Sequence, residues 1–354
     1  MDSTPLAPPQ EIVPGLFRLR TPMMSSALPF VMPYAFLGPN GVTLFDAGYG
    51  IDPAEAAMAD QLAAIGRHPS DIERLIVSHA HADHIGMAAW VKKQSPKSEL
   101  ILTRIEGEHY GRHTHNRWEN EMSGWGVSHG FDRAEVEEAE RIERQEREES
   151  SSTDAAAATE RSAWEMERVT PDVLLEDGQE LTFDGWTLRA VWTPGHTPGH
   201  LCVYEPNHRL TLTGDHVLSR ITPNVSLGQD DEESGRHPLE EFIASQKKVA
   251  ALDTVLGLPA HEDVLPNLPE RCSFLIEHHD HRADEVMSGI GEGAPTALEV
   301  ASRVTWNKPW STFGIHKRRS AMGETLAHLD LLLQQGRVRR HVDDDGRIRW
   351  ERAT

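Results

Sequence analysis

Histidine and aspartate gather in five short stretches of the 354-residue chain. They are Asp46 in FDAG, the run His79-Ala80-His81-Ala82-Asp83-His84, His196 in TPGHTPGH, Asp215 in TGDH and His261 in LPAHED. Imidazole nitrogen and carboxylate oxygen are the ligands that borderline divalent ions such as zinc accept, and here they come without thiolate. In H-x-H-x-D-H carried on a loop, His79 and His81 can point to one side while Asp83 and His84 turn toward a second position. Two metal ions are therefore expected. Such a pair can share a water, lower its pKa toward neutrality and hold it as hydroxide for attack on an electrophilic carbon or phosphorus. His200, His216 and His237 are all candidates for a general acid, and spacing distinguishes none of them.

Elements that would position these residues are legible around them. Val42, Thr43, Leu44 and Phe45 form a mostly apolar run ending at Asp46, as a buried strand entering a loop does. Residues 53–66 repeat apolar positions at spacings of three and four, with Pro early and Gly at the end, which predicts a helix. Leu75, Ile76 and Val77 make a second strand before the HAHADH run, followed by a helix at 87–93 and a strand at 100–103. Further strands are expected at 187–193, 201–204, 210–213 and 254–258. Alternation of this kind is an α/β layout.

The middle and the end read differently. Residues 104–132 are crowded with His109, Tyr110, His113, His115, Trp118, Trp125 and His129. These histidines are read as lining a pocket or facing solvent, and the aromatics as either a lid over the metals or the packing of inserted helices. Residues 133–168 hold 12 acids and 6 arginines, with Glu137/Arg141, Glu140/Arg144 and Glu143/Arg147 as i,i+4 pairs of an exposed helix. The Ser- and Ala-rich residues 149–159 read as a frayed end or loop. Residues 104–170 are thus expected as a helical insertion over the core. From 268 the pattern turns helical, at 278–287, 296–304 and 320–335, and Asp345-Gly346 between two alternating runs marks a tight hairpin. A small winged-helix-like domain over 268–354 is expected, with the EHHDHR run at 277–282 on a solvated helix face.

Composition narrows the function classes. With 35 Lys+Arg against 56 Asp+Glu, the net charge of −21 opposes generic attraction to nucleic-acid backbones or anionic membranes. Cys202 and Cys272 belong to no C-x-x-C pair, so no disulfide framework or cysteine-rich zinc module is expected. The start, MDSTPLAPPQEIVPG, has no basic segment followed by an apolar stretch, and no eighteen apolar residues run together. A cytoplasmic protein is the expectation.

The five stretches, in their order, resemble the ligand motifs of the metallo-β-lactamase superfamily. That resemblance implies an αββα sandwich as catalytic domain over 1–267, and the helical tail looks like the C-terminal domain of the superfamily's winged-helix-tailed hydrolases. Residue by residue, it implies one metal on His79, His81 and His196, another on Asp83, His84 and His261, and Asp215 bridging them, with Asp46 supporting rather than ligating. The cofactor implied is Zn2+, two ions, with iron or manganese as alternatives. Asp83 and Asp215 would keep the hydroxide oriented and serve as the catalytic carboxylates. The last motif departs from the family, reading PAHED where many relatives have PGHG.

A zinc-dependent hydrolase of a thioester, lactone or similar ester-like small molecule is the first expectation, acting without nucleic-acid or membrane partners and open to homodimer formation. The alternatives are a nuclease, a hydrolytic dehalogenase, or an iron-dependent oxidoreductase on the same ligands. Residues 301–354 hold 11 basic and 6 acidic side chains, the one local feature that favours a nuclease.

Overall fold

Strand alternation decides which way the first sheet faces. In the computed structural model, which describes residues 6–23, 28–39, 41–112, 122–150 and 167–353, strands β1 (Gln10–Val13), β2 (Leu16–Arg18), β5 (Tyr34–Leu37), β6 (Val42–Phe45), β7 (Ile72–Ile76), β8 (Glu99–Thr103) and β9 (Val173–Leu175) pair in that order. The short β3 (Thr21–Pro22) and β4 (Phe30–Val31) form a separate ribbon. Pairing is antiparallel up to β6 and parallel from β6 to β9. Because successive side chains point to opposite faces, Ala35, Val42, Leu44, Leu75, Leu100 and Leu102 pack on one side with Met58 and Leu62 of α1 (Asp52–Ala64), Ile85 of α2 (Ala82–Ile85) and Val91 of α3 (Ala88–Gln94). Tyr34, Phe36, Phe45, Ile76 and Ile101 face the other way.

There they meet a second sheet, β10 (Glu180–Phe183), β11 (Trp186–Trp192), β12 (Leu201–Glu205), β13 (Leu210–Gly214) and β14 (Leu256–Pro259), antiparallel except for the last pair. Leu188, Ala190, Leu201, Val203, Leu212 and Leu258 complete the buried layer between the sheets. Phe36 packs edge-on against Phe183 and Trp186, with ring centroids 6.2 and 5.1 Å away. Residues 245–250 bond to the second sheet and its loops. Ser245 Oγ donates to Pro194 O at 2.9 Å, Gln246 Nε2 to His216 O at 2.8 Å and Lys248 Nζ to Trp192 O at 2.8 Å. The architecture is the αββα sandwich that the resemblance implied. Helix α4 (Arg104–Arg112) follows β8 directly, at the position where the sequence predicts the insertion to start.

Two compact units divide the chain. The first comprises Met1–Arg112, Asp154–Pro223 and Ser245–Cys272, and the second His113–Thr153, Asn224–Ala244 and Ser273–Thr354. This differs from an expected boundary at 267 with residues 104–170 laid over the core. The reason is hydrophobic: Met122, Trp125, Phe131 and Val136 share one buried cluster with Val225, Phe242, Val286, Met322, Leu332 and Trp350. The tail helices alone would leave those apolar faces in water. In this unit α5 (Arg133–Ser150) carries the charged stretch, and Arg141 forks onto Glu138 at 2.7 and 2.8 Å. Its other helices are α6 (Gln229–Ser234), α9 (Ala297–Ala301), α10 (Ile315–Gln334) and parts of α7 (Pro238–Ala250) and α8 (Leu268–Ile290). Strands β15 (Val338–Val342) and β16 (Ile348–Arg352) form the expected hairpin, with Gly346 at φ +77° in its turn. No helix among the described residues is long and apolar enough to cross a membrane.

Candidate metal centre

Each of the five stretches follows a strand: Asp46 after β6, the HAHADH run after β7, His196 after β11, Asp215 after β13 and His261 after β14. All lie in the first unit. Their ligand atoms form two overlapping groups. In one, His81 Nδ1 lies 2.8 Å from His79 Nε2 and 3.2 Å from His196 Nε2. In the other, Asp83 Oδ2 is 3.6 Å from His84 Nε2 and 3.4 Å from His261 Nε2. Asp215 reaches both, 3.8 Å from His196 Nε2, 3.6 Å from His84 Nε2 and 3.3 Å from His261 Nε2. All seven residues named from the sequence come together.

The set fits divalent cations. Ligand atoms sharing a tetrahedral ion at about 2 Å sit roughly 3.3 Å apart, close to the separations found. His84 Nε2, His261 Nε2 and Asp215 Oδ1 are buried without a hydrogen-bond partner among the described residues, which is costly unless a cation meets them. The far edges of the rings are held. His84 Nδ1 bonds Asp46 Oδ2 at 2.9 Å, and His261 Nδ1 bonds Phe30 O at 2.9 Å, leaving each Nε2 for a metal. Asp46, at φ +59°, also accepts from Ser78 N at 2.7 Å and Ser78 Oγ at 2.9 Å. It holds the far edge of the His84 ring and lies outside the groups of candidate ligand atoms.

Burial and charge oppose one another in this pocket. Burial and then the neighbouring imidazoles push His79 well below the ordinary imidazole range, and burial with His196 pushes His81 to about 3. Burial opposes a charge on His84, yet Asp83, Asp215 and Asp46 together raise it well above that range. Asp83 is held at about 2 because His84 and His261 outweigh its burial, and Asp215 is lowered for the same reason.

The candidates for a general acid separate. His200 is buried, accepts from Asp215 N at 3.2 Å through Nε2 and faces Thr193 Oγ1 with Nδ1 at 2.9 Å. It therefore shapes the Asp215 turn, where Gly214 at φ +49° leaves no room for a Cβ, which would lie 2.8 Å from His200 Nε2. Burial pushes His216 down to about 3. His237 pairs with Asp330 at 2.8 Å in the second unit.

Two further expectations are corrected, at His129 and at His279, and the choice left open for the aromatics is narrowed. His129 neither faces solvent nor lines an open pocket: it is fully buried and bonded to Glu232 at 3.1 Å. Tyr110 and Trp125 are buried in the hydrophobic clusters of the first and second unit respectively, so they pack cores. His109 lies on α4 and is half-buried; His113, His115 and Trp118 fall outside the described residues. Within 277–282 His279 turns inward and bonds His328 at 3.1 Å, while Glu277, Asp280 and His281 are exposed.

Three contributors escaped the sequence reading. Ser78 links Asp46 to the histidine loop, and Glu106 binds two ligand loops. Glu262, in the divergent PAHED motif, adopts φ +64°, the conformation glycine takes freely. Its carboxylate accepts from Arg220 N at 2.7 Å and Ile221 N at 3.1 Å, pinning the segment that follows Asp215. Only the positive-φ requirement, hinted at by glycine in the family motif, was a usable signal.

Residues 29–261 match the family model described as the metallo-beta-lactamase superfamily, and residues 284–353 match that of the metallo-beta-lactamase-like C-terminal domain. A metallo-beta-lactamase family protein of Thermus thermophilus superposes with a TM-score of 0.75 at 25% identity, covering 97% of this chain and 100% of its own. A beta-lactamase domain protein of Burkholderia ambifaria gives 0.74 at 23% identity, over 98% and 96% of the two chains, a likeness of fold. Among curated relatives, the lactamase-like protein vrtG of Penicillium aethiopicum is 36% identical over 116 residues, 33% of this chain and 34% of that protein. The chain thus spans about a third of that relative's length.

Proposed function

The chain belongs to the metallo-beta-lactamase superfamily, and from that membership we propose that it is a dinuclear zinc hydrolase of a thioester, lactone or similar ester-like small molecule. The observation that carries this reading is Asp215, whose carboxylate lies within 3.8 Å of His196 and 3.3 Å of His261, one member of each imidazole group. His79, His81 and His196 would hold one ion, and Asp83, His84 and His261 the other, with Asp215 shared. Divalent ions there supply a Lewis acid for the acyl oxygen and bring the pKa of water toward neutrality.

The chain's own residues then have defined tasks. Asp46 and the carbonyl of Phe30 fix the tautomers of His84 and His261 through Nδ1. Asp83, held ionised, accepts a hydrogen bond from the attacking water and aims its lone pair. None of the three general-acid candidates is free for that role: His216 is held neutral at pH 7, His200 is committed to the Asp215 turn and His237 is paired with Asp330. That favours a leaving group stable as an anion, such as a thiolate, over an alkoxide.

A screen of thioesters, lactones, β-lactams, phosphodiesters and halogenated aromatics, with Asp215→Asn as control, tests the reading. Thioester or lactone turnover that disappears with metal in the variant supports it; turnover confined to phosphodiesters or haloaromatics refutes the substrate class. We place the protein in the cytoplasm, with the second unit as a winged-helix-like packing or dimerisation module rather than a nucleic-acid reader.

A further inference from the structure

The loops that assemble the first imidazole group are tied together by Glu106, near the start of α4 and buried. Its Oε1 accepts from Ala80 N, between His79 and His81, at 2.8 Å. Its Oε2 accepts from Thr197 Oγ1 and Gly199 N, each at 2.9 Å, in the loop that carries His196. Thr103 closes the same corner, its hydroxyl donating to Gly199 O at 2.5 Å and accepting from Glu106 N at 3.2 Å. The approach requires glycine at 199, because a Cβ there would lie 2.2 Å from Glu106 N. One buried carboxylate therefore spans two segments whose histidines, His81 and His196, are 115 residues apart in sequence.

We propose that Glu106 is a positioning residue that fixes His79 and His81 relative to His196, and so sets the metal affinity of that group separately from the group of Asp83, His84 and His261. This rests on the metal reading above. An ionised carboxylate accepts on both oxygens and donates nothing, which suits three converging donors and gives strong, directional bonds. Glutamine has the same shape, but its NH2 must replace one oxygen and face a donor. Whichever way the amide turns, one ligand loop loses its anchor at nearly constant volume.

Glu106→Gln and Glu106→Asp are compared with the wild type in two measurements. In metal-free protein, backbone hydrogen exchange at Ala80 or Gly199 is expected to accelerate about 10- to 100-fold in the Gln variant, while the amides of Val203 and Leu212 within the second sheet stay as in wild type. In a cobalt titration followed by d–d absorption, the Gln variant weakens one of two binding events by about 10- to 100-fold and leaves the other in place. The Asp variant, which keeps the charge, recovers part of that loss. Exchange and both cobalt affinities matching wild type in the Gln variant overturn the proposal, as does equal weakening of both events. A wild-type chain that takes up no cobalt refutes the metal reading and, with it, the affinity role; amide exchange then separately decides whether Glu106 holds the loops.

Discussion

Asp215 is the residue on which the two halves of the site depend. Replacing it with Asn keeps the shape and removes the charge facing His84 and His261. Hydrolysis is expected to fall by at least about 100-fold together with metal content, measured by elemental analysis and turnover on the same preparation; full activity in the variant would contradict the bridging role. Asp46→Ala tests the support instead. It frees His84 Nδ1 and is expected to weaken zinc binding about 10- to 100-fold, read by competition with a chromogenic chelator. The candidate ligands were legible because histidine and aspartate recur after strand-like runs at fixed offsets. Glu106 was not, being one of 56 acidic residues and distinguished only by the backbone amides that meet it in three dimensions. His200 was legible as a histidine near the site but not in its task, because Asp215 N, which it accepts from, is 15 residues away.

At the scale of elements, β6, β11, β12 and β13 fall within a residue or so of their expected positions, since each is a continuous apolar or alternating run. Strands β1 to β5 carry no legible local pattern. They are two to four residues long and broken by prolines, so their pairing comes from the sheet and not from local pattern. Phe36 on β5 nevertheless anchors the interlayer core, and Phe36→Ala is expected to cost about 3–5 kcal/mol in urea unfolding. In the second unit, Glu232 of α6 joins Trp125, His129 and Arg340. Its hydrogen bond to His129, with those to Trp125 and Arg340, holds its carboxyl at about 2 against burial. A depressed folded pKa contributes stability above the unfolded value of 4.5 and loses it as pH falls toward 2. Glu232→Gln is thus expected to destabilise by about 1 kcal/mol at pH 7, allowing for solvent screening, with the gap to wild type closing between pH 4.5 and 2. A gap that persists unchanged at about pH 2.5 would contradict this assignment.

At the scale of the whole molecule, the acidic balance and the pairing of the basic tail point the same way. Arg318 pairs with Glu135, Arg337 with Asp284, Arg339 with Glu351, Arg340 with Glu232 and Arg349 with Asp343. Much of the positive charge that suggested nucleic acid is therefore spent within the second unit. Labelled RNA is expected to show no salt-dependent binding in a filter assay; tight binding that weakens steeply with salt would restore the nuclease reading. The second unit itself was only half legible, because the hydrophobic cluster that defines it draws on residues more than 200 positions apart, such as Phe131 and Trp350. Metal stoichiometry tests the central claim most directly. Protein purified without chelator should carry two zinc equivalents per chain, fall to about one in either His81→Ala or His261→Ala, and lose hydrolysis on stripping and regain it with zinc. Full turnover by the metal-stripped chain would contradict the account.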